Sequence, residues 1–528
     1  MPSLFSLHGN DLARHVTPLS LSAVAAAAAV TSILISRLMR KTGEYKEIPI
    51  AKGSIPYFGH LRSYLYTSMH DIPAILMAQR NTDLGPIVRY NMGSQSWLVI
   101  SDADLAYELL NTHGAATSHR AKHTFGDTLD ATHHGMTFNH PVSSRWKKTR
   151  AILSQYVSPK QLSAHDDILH KEADYTVKQL LASSNKPPLA IFNLLHQSTL
   201  NVTLMLAFNY RIEDPEDPLL AKLLDLITIS VDNNESLYDP HAFMPFIMGI
   251  VDWWKQTQKN LIRMSTEMRP AVIERLIRHG LESDSECLAK TVYAIRDGED
   301  IDDEAVGSIC FELLAAGSPT TAVAMTWILV ILCNHPNDQE KLQAEIDAFI
   351  KIHGRIPLFN DHEHLPLLMS AIKESLRLRP IAPLALGRQV SDDVHCRGYF
   401  IPKGTIVRSN VYAMNHDPKL YPNPDRFVVD RFLDKHRTMS TLSKAKIQER
   451  DQFAFGFGRR TCPGIFLAEN EIFNVMVRLL AQASIMPILD KNNIPVYPDI
   501  NAFINGGTVM IPAQDTMQFV KRVNPLNL

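Results

Sequence analysis

The feature that most constrains this chain is the stretch from Asp302 to Asn334. Asp302 can cap a helix, Asp303 and Glu304 suit its positive N-terminal end, and Asn334-His335-Pro336 ends it. That predicts a helix of roughly 30 residues and about 45 Å. From Ile309 to Cys333 it is apolar on nearly every side, apart from Glu312 and a few small hydroxyls. A helix apolar all round belongs at the centre, with the other elements wrapped around it. The 528 residues show no Ser/Gly/Pro-rich linker after residue 60, so one large mainly helical domain is expected over 61–528. Lys and Arg (53) nearly balance Asp and Glu (55), which argues against nucleic acid as a partner. The five cysteines, Cys287, Cys310, Cys333, Cys396 and Cys462, are scattered and odd in number, unlike a secreted disulfide framework.

One of these cysteines stands apart. Phe455-Gly456-Phe457-Gly458-Arg459-Arg460-Thr461-Cys462-Pro463-Gly464 sets it among glycines and an arginine pair. A thiolate can ligate iron only if its charge is stabilised, and backbone N–H groups can do this where glycines let the chain curl around sulfur. Gly456, Gly458 and Gly464 are expected to give that freedom. Pro463 is expected at the first position of a following helix, placing the sulfur near positive dipole ends. Ile465, Ala468, Ile472, Val475, Met476 and Leu479 then recur at helical spacing.

Phe-x-x-Gly-x-Arg-x-Cys-x-Gly resembles the haem-binding signature of the cytochrome P450 family, and further landmarks follow in the family's order over about residues 45–525. The resemblance implies the cytochrome P450 fold, mainly α with small β-sheets, and haem b held through Cys462, with Phe455 part of the loop. Trp146-Lys147-Lys148-Thr149-Arg150 resembles the family's Trp-x-x-x-Arg helix, which implies Trp146 and Arg150 at a haem propionate; Arg388 and Arg460 are implied there too. Ala316-Gly317-Ser318-Pro319-Thr320-Thr321 resembles the oxygen-activation segment, with Thr320 as the catalytic threonine. Pro319 stands where the family has an acid. Proline lacks an N–H and its ring clashes with the carbonyl of Ala315, so a kink or opening is expected, with Ser318, Thr320, Thr321 and solvent left to carry protons.

Glu374 and Arg377 match the family's Glu-x-x-Arg pair. By residue pattern alone they are a surface ion pair three apart on a helix, but the resemblance implies a buried network with a third residue. Pro424-Asp425-Arg426-Phe427 and Val429-Asp430-Arg431-Phe432 compete for that place, and spacing from Asp417-Pro418 favours Arg431. Ala316, Leu384, Leu386, Phe503 and Ile504 are expected to line an apolar substrate cavity.

At the N-terminus, Leu19 to Ile35 is a 17-residue run without charge, followed by Arg37, Arg40 and Lys41. It reads as a membrane anchor over 1–41, a single N-terminal transmembrane helix with the bulk of the protein on the cytosolic side. Residues 42–60, with Pro49, Gly53, Pro56 and Gly59, read as a proline-containing hinge with little regular structure. Phe243 to Trp254 is dense in apolar and aromatic residues and is expected to touch the membrane interface. Ile87–Tyr90 and Trp97–Ile100 read as a β-hairpin. The resemblance implies a monooxygenase of the endoplasmic reticulum membrane that inserts one oxygen atom into a steroid, terpenoid, fatty acid or polyketide. No strand followed by G-x-G-x-x-G occurs, so electrons are expected from NADPH through a separate cytochrome P450 reductase, with cytochrome b5 a further partner. Two alternatives stand beside this: a member that rearranges, dehydrates or couples its substrate, and a non-catalytic membrane-tethered haem protein.

Overall fold

The computed structural model describes residues 45–64, 71–121, 135–137, 143–183, 191–214, 216–233, 243–244, 267–299 and 301–522. The expected anchor over 1–41 and the stretch 245–254 lie outside these residues. Two compact units are distinguished. The described part of the smaller is residues 45–47 with 398–400, where Tyr45 stacks on Phe400 and Lys46 lies over the Tyr399 ring. The larger, 48–397 with 401–528, holds every element that follows.

Its sheet opens with β1 (Ile87–Met92) and β2 (Gln95–Ile100), paired antiparallel in register Ile87↔Ile100 to Met92↔Gln95. Gly93 makes the turn at φ +58°, and a Cβ there would sit 2.4 Å from the Phe243 carbonyl oxygen. That carbonyl also accepts the Ser94 N–H at 2.9 Å, and Phe243 is buried against Trp97. The described start of the aromatic stretch is therefore core, not membrane contact. The proline-containing segment is likewise tied down: Ile50 bridges Arg89, Gly59 bridges Met92, and the buried His60 ring bonds the Ala51 carbonyl. These are isolated bridges along the edge of β1, so the segment carries little regular structure, as expected, yet covers that edge.

The helices that carry the site are α1 (Ser144–Tyr156), α2 (Asp166–Ser183), α3 (Ile191–Phe208), α4 (Asp303–Cys333) and α5 (Pro366–Leu378). Then come β3 (Arg388–Gln389), β4 (Val394–Cys396) and β5 (Ile406–Ser409), the helix α6 (Ile465–Gln482), and the hairpin β6 (Phe503–Gly506) with β7 (Val509–Pro512). The main sheet runs β1-β2-β5-β3, with β2 and β5 parallel and β3 antiparallel to β5. This register sets Arg388 opposite Val407.

α4 is the central helix. The Asp302 side chain caps it, accepting the Ala305 N–H at 2.8 Å. One end, Ala305 to Leu314, packs into one apolar core; the other, Ala322 to Cys333, packs into a second. Each fully buried Leu, Ile or Val contributes about 1.5–3 kcal/mol, so both ends are held firmly. Trp327 adds a pin by donating its indole N–H to the Met510 carbonyl of β7 at 2.7 Å. α4 is the one described helix long and apolar enough to cross a membrane, but its burial makes it a core helix.

Candidate active site

The stretch Ala315–Thr321 falls between the two cores, and its side chains divide by face. Ala316 is exposed and Glu312 and Thr320 are half-buried, so positions i, i+4 and i+8 form one stripe that is not packed against protein. The opposite face lies on α3. Ser318 is fully buried, donates to the Leu314 carbonyl at 2.9 Å and lies 3.4 Å from His196 Nε2, while its own carbonyl accepts from Thr199 at 2.8 Å. A Cβ on Gly317 would approach the Thr203 methyl at 3.0 Å, which explains a glycine at this close crossing. Thr320 donates to the Ala316 carbonyl at 2.8 Å from the open face.

Two expectations change here. The helix runs unbroken through Pro319, so it does not open, because α3 and both cores hold the segments on either side. Ser318 does not share the stripe of Thr320, and Thr321 is buried; of the hydroxyls expected to carry protons, Thr320 alone lies on the stripe. Two residues on a helix differ by about 200°, so Ser318 and Thr320 must face apart.

Glu312 connects this stripe to the cysteine loop. Its carboxylate accepts the Met136 N–H at 2.7 Å and the Thr137 N–H at 2.9 Å. Around the same two residues gather Trp146 Nε1 on the Met136 carbonyl at 2.9 Å, Arg460 Nη1 on that carbonyl at 2.7 Å, and Arg120 Nε on the Thr137 carbonyl at 2.9 Å. Trp146 lies in the first turn of α1, which Ser143 caps, and its ring lies 4.3 Å from the Arg460 guanidinium. Its N–H is thus engaged by Met136, and Trp146 supports Arg460 rather than presenting a donor of its own. Arg150, one turn on, donates to the Thr461 carbonyl at 2.5 Å beside the cysteine.

The loop closes on itself where the Cys462 N–H meets the Phe455 carbonyl at 3.0 Å. Gly456 and Gly458 have φ of +76° and +56°, as the tight curl requires, and a Cβ on Gly458 would sit 2.0 Å from the Leu110 carbonyl oxygen. Gly464 is different: its φ is −86°, and it is the cap residue of α6. Pro463 therefore precedes the helix instead of forming its first turn. The Cys462 surface is exposed, unlike that of the other four cysteines, yet protein surrounds it closely enough that burial pushes its thiol pKa up. The Gly464 N–H and Arg150 pull the other way.

Arginines dominate the charge here. Arg120, Arg388 and Arg460 are all buried, and burial followed by repulsion from neighbouring arginines pulls them down to about 10, 9 and 8 respectively. Among the described residues, Glu312 opposes this at Arg120 and Arg460, whereas at Arg388 the charges that act are the arginines Arg120 and Arg150. Arg388 donates through Nη2 to the Phe457 carbonyl at 2.6 Å, but its buried Nη1 has no hydrogen-bond partner. Such a set of buried cations suits a ligand with more than one carboxylate, which is what the propionates of haem offer. Arg120 carries no motif and sequence reasoning passed it over; its place here depends on contacts to Leu386, Gly387 and Thr137, distant in sequence.

Glu374, Arg377 and Arg431 form a separate cluster. Arg377 is bidentate to Glu374 at 2.7 and 2.9 Å, and Arg431 Nε reaches both oxygens at 2.9 Å. Arg426 contributes its carbonyl, as an acceptor for Arg377 and Arg431. All three side chains are nearly or fully buried, so the surface ion-pair reading does not apply.

The cavity candidates scatter more. Leu384 borders a hollow lined by Tyr64, Ala385, Arg408, Asn505 and Thr508, which includes none of Ala316, Leu386, Phe503 or Ile504. Along β6, Phe503 packs on the core while Ile504, on the alternate face, is 54% exposed.

Fold and site together define a mainly helical protein with an accessible cysteine in a glycine-rich loop and arginines in excess around it. The cytochrome P450 family model matches residues 49–500, and the chain belongs to that family. Among curated relatives, cytochrome P450 monooxygenase 69 of Postia placenta is 26% identical, with 91% of each chain covered. Cytochrome P450 monooxygenase yanC of Aspergillus niger is 25% identical, covering 81% of this chain and 82% of the relative. A zebra fish cytochrome P450 solved with progesterone superposes with TM-score 0.70 at 25% identity, over 85% of this chain and all of that one. A second zebra fish structure, with abiraterone, gives 0.69 at 24% identity and speaks to the fold. The protein is a haem-dependent oxidoreductase of the monooxygenase class.

Proposed function

We propose that Cys462 is the thiolate ligand of haem b and that Arg120, Arg150, Arg388 and Arg460 hold its propionates. The observation that carries this is the excess of buried guanidinium groups beside the one exposed cysteine. Cys396 is the weaker candidate: it is buried, and Glu108 raises its pKa further. Bound haem supplies activation of dioxygen, and a thiolate ligand favours O–O cleavage. The chain's part is to keep the Cys462 sulfur anionic with the Gly464 N–H and Arg150, to neutralise the carboxylates, and to offer Thr320 as a hydroxyl that holds a proton on the unpacked stripe of α4. Pro319 brings no acid beside Thr320, and the carboxylate on the same stripe, Glu312, is two turns away and engaged by Met136 and Thr137, so Thr320 and solvent carry the proton supply.

The reaction is insertion of one oxygen atom into a lipophilic substrate, with electrons from NADPH through a separate reductase and cytochrome b5 as a secondary donor. Steroid-like compounds are the first class to try, because progesterone and abiraterone are named with the superposed zebra fish structures. Residues 1–41 anchor the enzyme in the endoplasmic reticulum membrane, 42–60 link the anchor to the domain, and Ala316, exposed on the unpacked stripe of α4, faces the substrate. The relatives' names favour oxygen insertion over rearrangement or simple haem binding.

The decisive experiment is Cys462→Ser in the full chain. The carbon-monoxide difference spectrum of a thiolate ligand should vanish while the fold persists by circular dichroism, and product formation with reductase, NADPH and dioxygen should fall to background. An unchanged spectrum would mean that another group binds the iron.

A further inference from the structure

A second set of metal-type donors lies one turn of chain away from the cysteine loop. The helix Ala103–Tyr107, capped by Asp102, continues into a π-helical segment, Glu108–Thr112. Its wider winding is closed by the His113 N–H donating to the Glu108 carbonyl five residues back, at 3.1 Å. In an α-helix residues five apart would point about 140° from one another. A π-turn swings them onto nearly the same side, which is one reason such turns recur at functional sites. Glu108 and His113 are thereby brought together, and Cys396, the buried last residue of β4, meets them from the other direction.

We propose that Glu108, His113 and Cys396 form a binding site for a divalent transition metal of the zinc class, separate from the haem site. Their ligand atoms all lie within 4.8 Å of one another. Donors around a tetrahedral zinc at about 2.0–2.3 Å are separated by about 3.5 Å, so small side-chain rotations close the set. One thiolate, one imidazole and one carboxylate is a donor set suited to zinc, with water as the fourth ligand. All three are chemically distinct donors on two different elements, unlike a solvated acidic patch.

The surroundings supply a way to free the carboxylate. Arg397, held in the left-handed region at φ +49°, donates from Nε to Glu108 Oε2 at 2.7 Å, and its Nη1 already stands 3.9 Å from Asp102. A cation arriving at Glu108 repels the guanidinium towards Asp102, which can keep it paired. On metal binding the Cys396 S–H bond breaks, the proton leaves to solvent, and sulfur coordinates as thiolate. The consequence for the enzyme is mechanical. Leu110, in the same π-turn, presses its carbonyl on Gly458, so a metal that ties the turn to β4 also braces the wall of the cysteine loop.

The test uses untagged full-chain holoenzyme, incubated with Zn2+, dialysed against chelators of graded strength, and analysed for zinc and iron by mass spectrometry. Wild type should retain about one zinc per iron, and Cys396→Ser or His113→Gln should lower the affinity by about 100-fold or more. Arg397→Ala should raise it. The carbon-monoxide spectrum reports that haem and fold persist in each variant, and His113→Gln provides the measurement should Cys396→Ser fail to fold. Wild type that retains no zinc, or variants that retain as much as wild type, would overturn the site. Since zinc and haem iron are counted separately, failure here leaves the Cys462 assignment untouched, and the reverse holds too.

Discussion

Two buried arginine clusters sit in this protein, and they differ in what completes them. Around Glu374, the guanidinium groups of Arg377 and Arg431 share one carboxylate, and the remaining donors find the carbonyls of Asn415, Pro422 and Asn423. Around the cysteine loop, Arg150 repels each of Arg120, Arg388 and Arg460, Arg120 adds to this at the latter two, and Arg388 Nη1 is left without a partner. A buried charge is tolerated when paired within the chain or by a ligand. The first cluster is therefore a structural lock, and the second carries an excess of positive charge, as the proposed binding of carboxylates requires.

That contrast can be broken most forcefully at Glu374. Glu374→Gln strands two buried cations and should cost about 3–5 kcal/mol, with loss of haem incorporation as a consequence. Denaturant unfolding followed by circular dichroism measures it; a loss under about 1 kcal/mol would mean that the carbonyls alone suffice.

A third buried base sharpens the point, because imidazole can shed its proton where guanidinium cannot. Burial takes His196 down to about 4 from 6.5. Its folded-state pKa is depressed, so the neutral form fits the fold and stability is fully present above pH 6.5. As pH falls from 6.5 towards 4 the unfolded chain binds the proton first, and about 3 kcal/mol should be lost across that window. In His196→Gln the pH dependence of the unfolding midpoint over this range should flatten by about one proton.

Arg388→Gln acts in the opposite sense to Glu374→Gln. Removing one of several repelling cations should leave the haem-free chain as stable or more so, while haem dissociation to a heme-scavenging protein speeds up about 10-fold, equivalent to about 1.4 kcal/mol. Equal destabilisation of both forms would make the second cluster structural like the first.

Pro319→Asp should have the smallest effect on stability and is read in product formed per NADPH consumed. A change of less than about twofold is expected if Thr320 and solvent already supply protons; a large gain would show that proline compromises delivery.

The legible parts were those whose physics is local. The capped 31-residue helix, the β1–β2 turn at Gly93 and the glycine curl around Cys462 follow from propensity, capping and allowed dihedrals of neighbouring residues. The choice of Arg431 over Arg426 could be made by spacing, since the segment from Asp417 to Phe432 is a chain of short turns. Long-range packing misled or was silent. Ser318 and Thr320 look equivalent in sequence until α3 covers one side of α4. Trp146 looks like a free donor until Met136 reaches it. Arg120 looks like any loop arginine until Leu386 and Gly387, over 260 residues away, accept from it.

What the sequence alone determined is the central helix, the β1–β2 hairpin and the glycine-rich curl around Cys462, because each is specified by residues within a few positions of one another. Only the tertiary structure decided which polar groups face open space, which buried cations are matched by carboxylates, and that Cys396 meets Glu108 and His113. Those outcomes depend on burial and on charge separations between distant segments, and neither quantity exists until the chain has closed around its central helix.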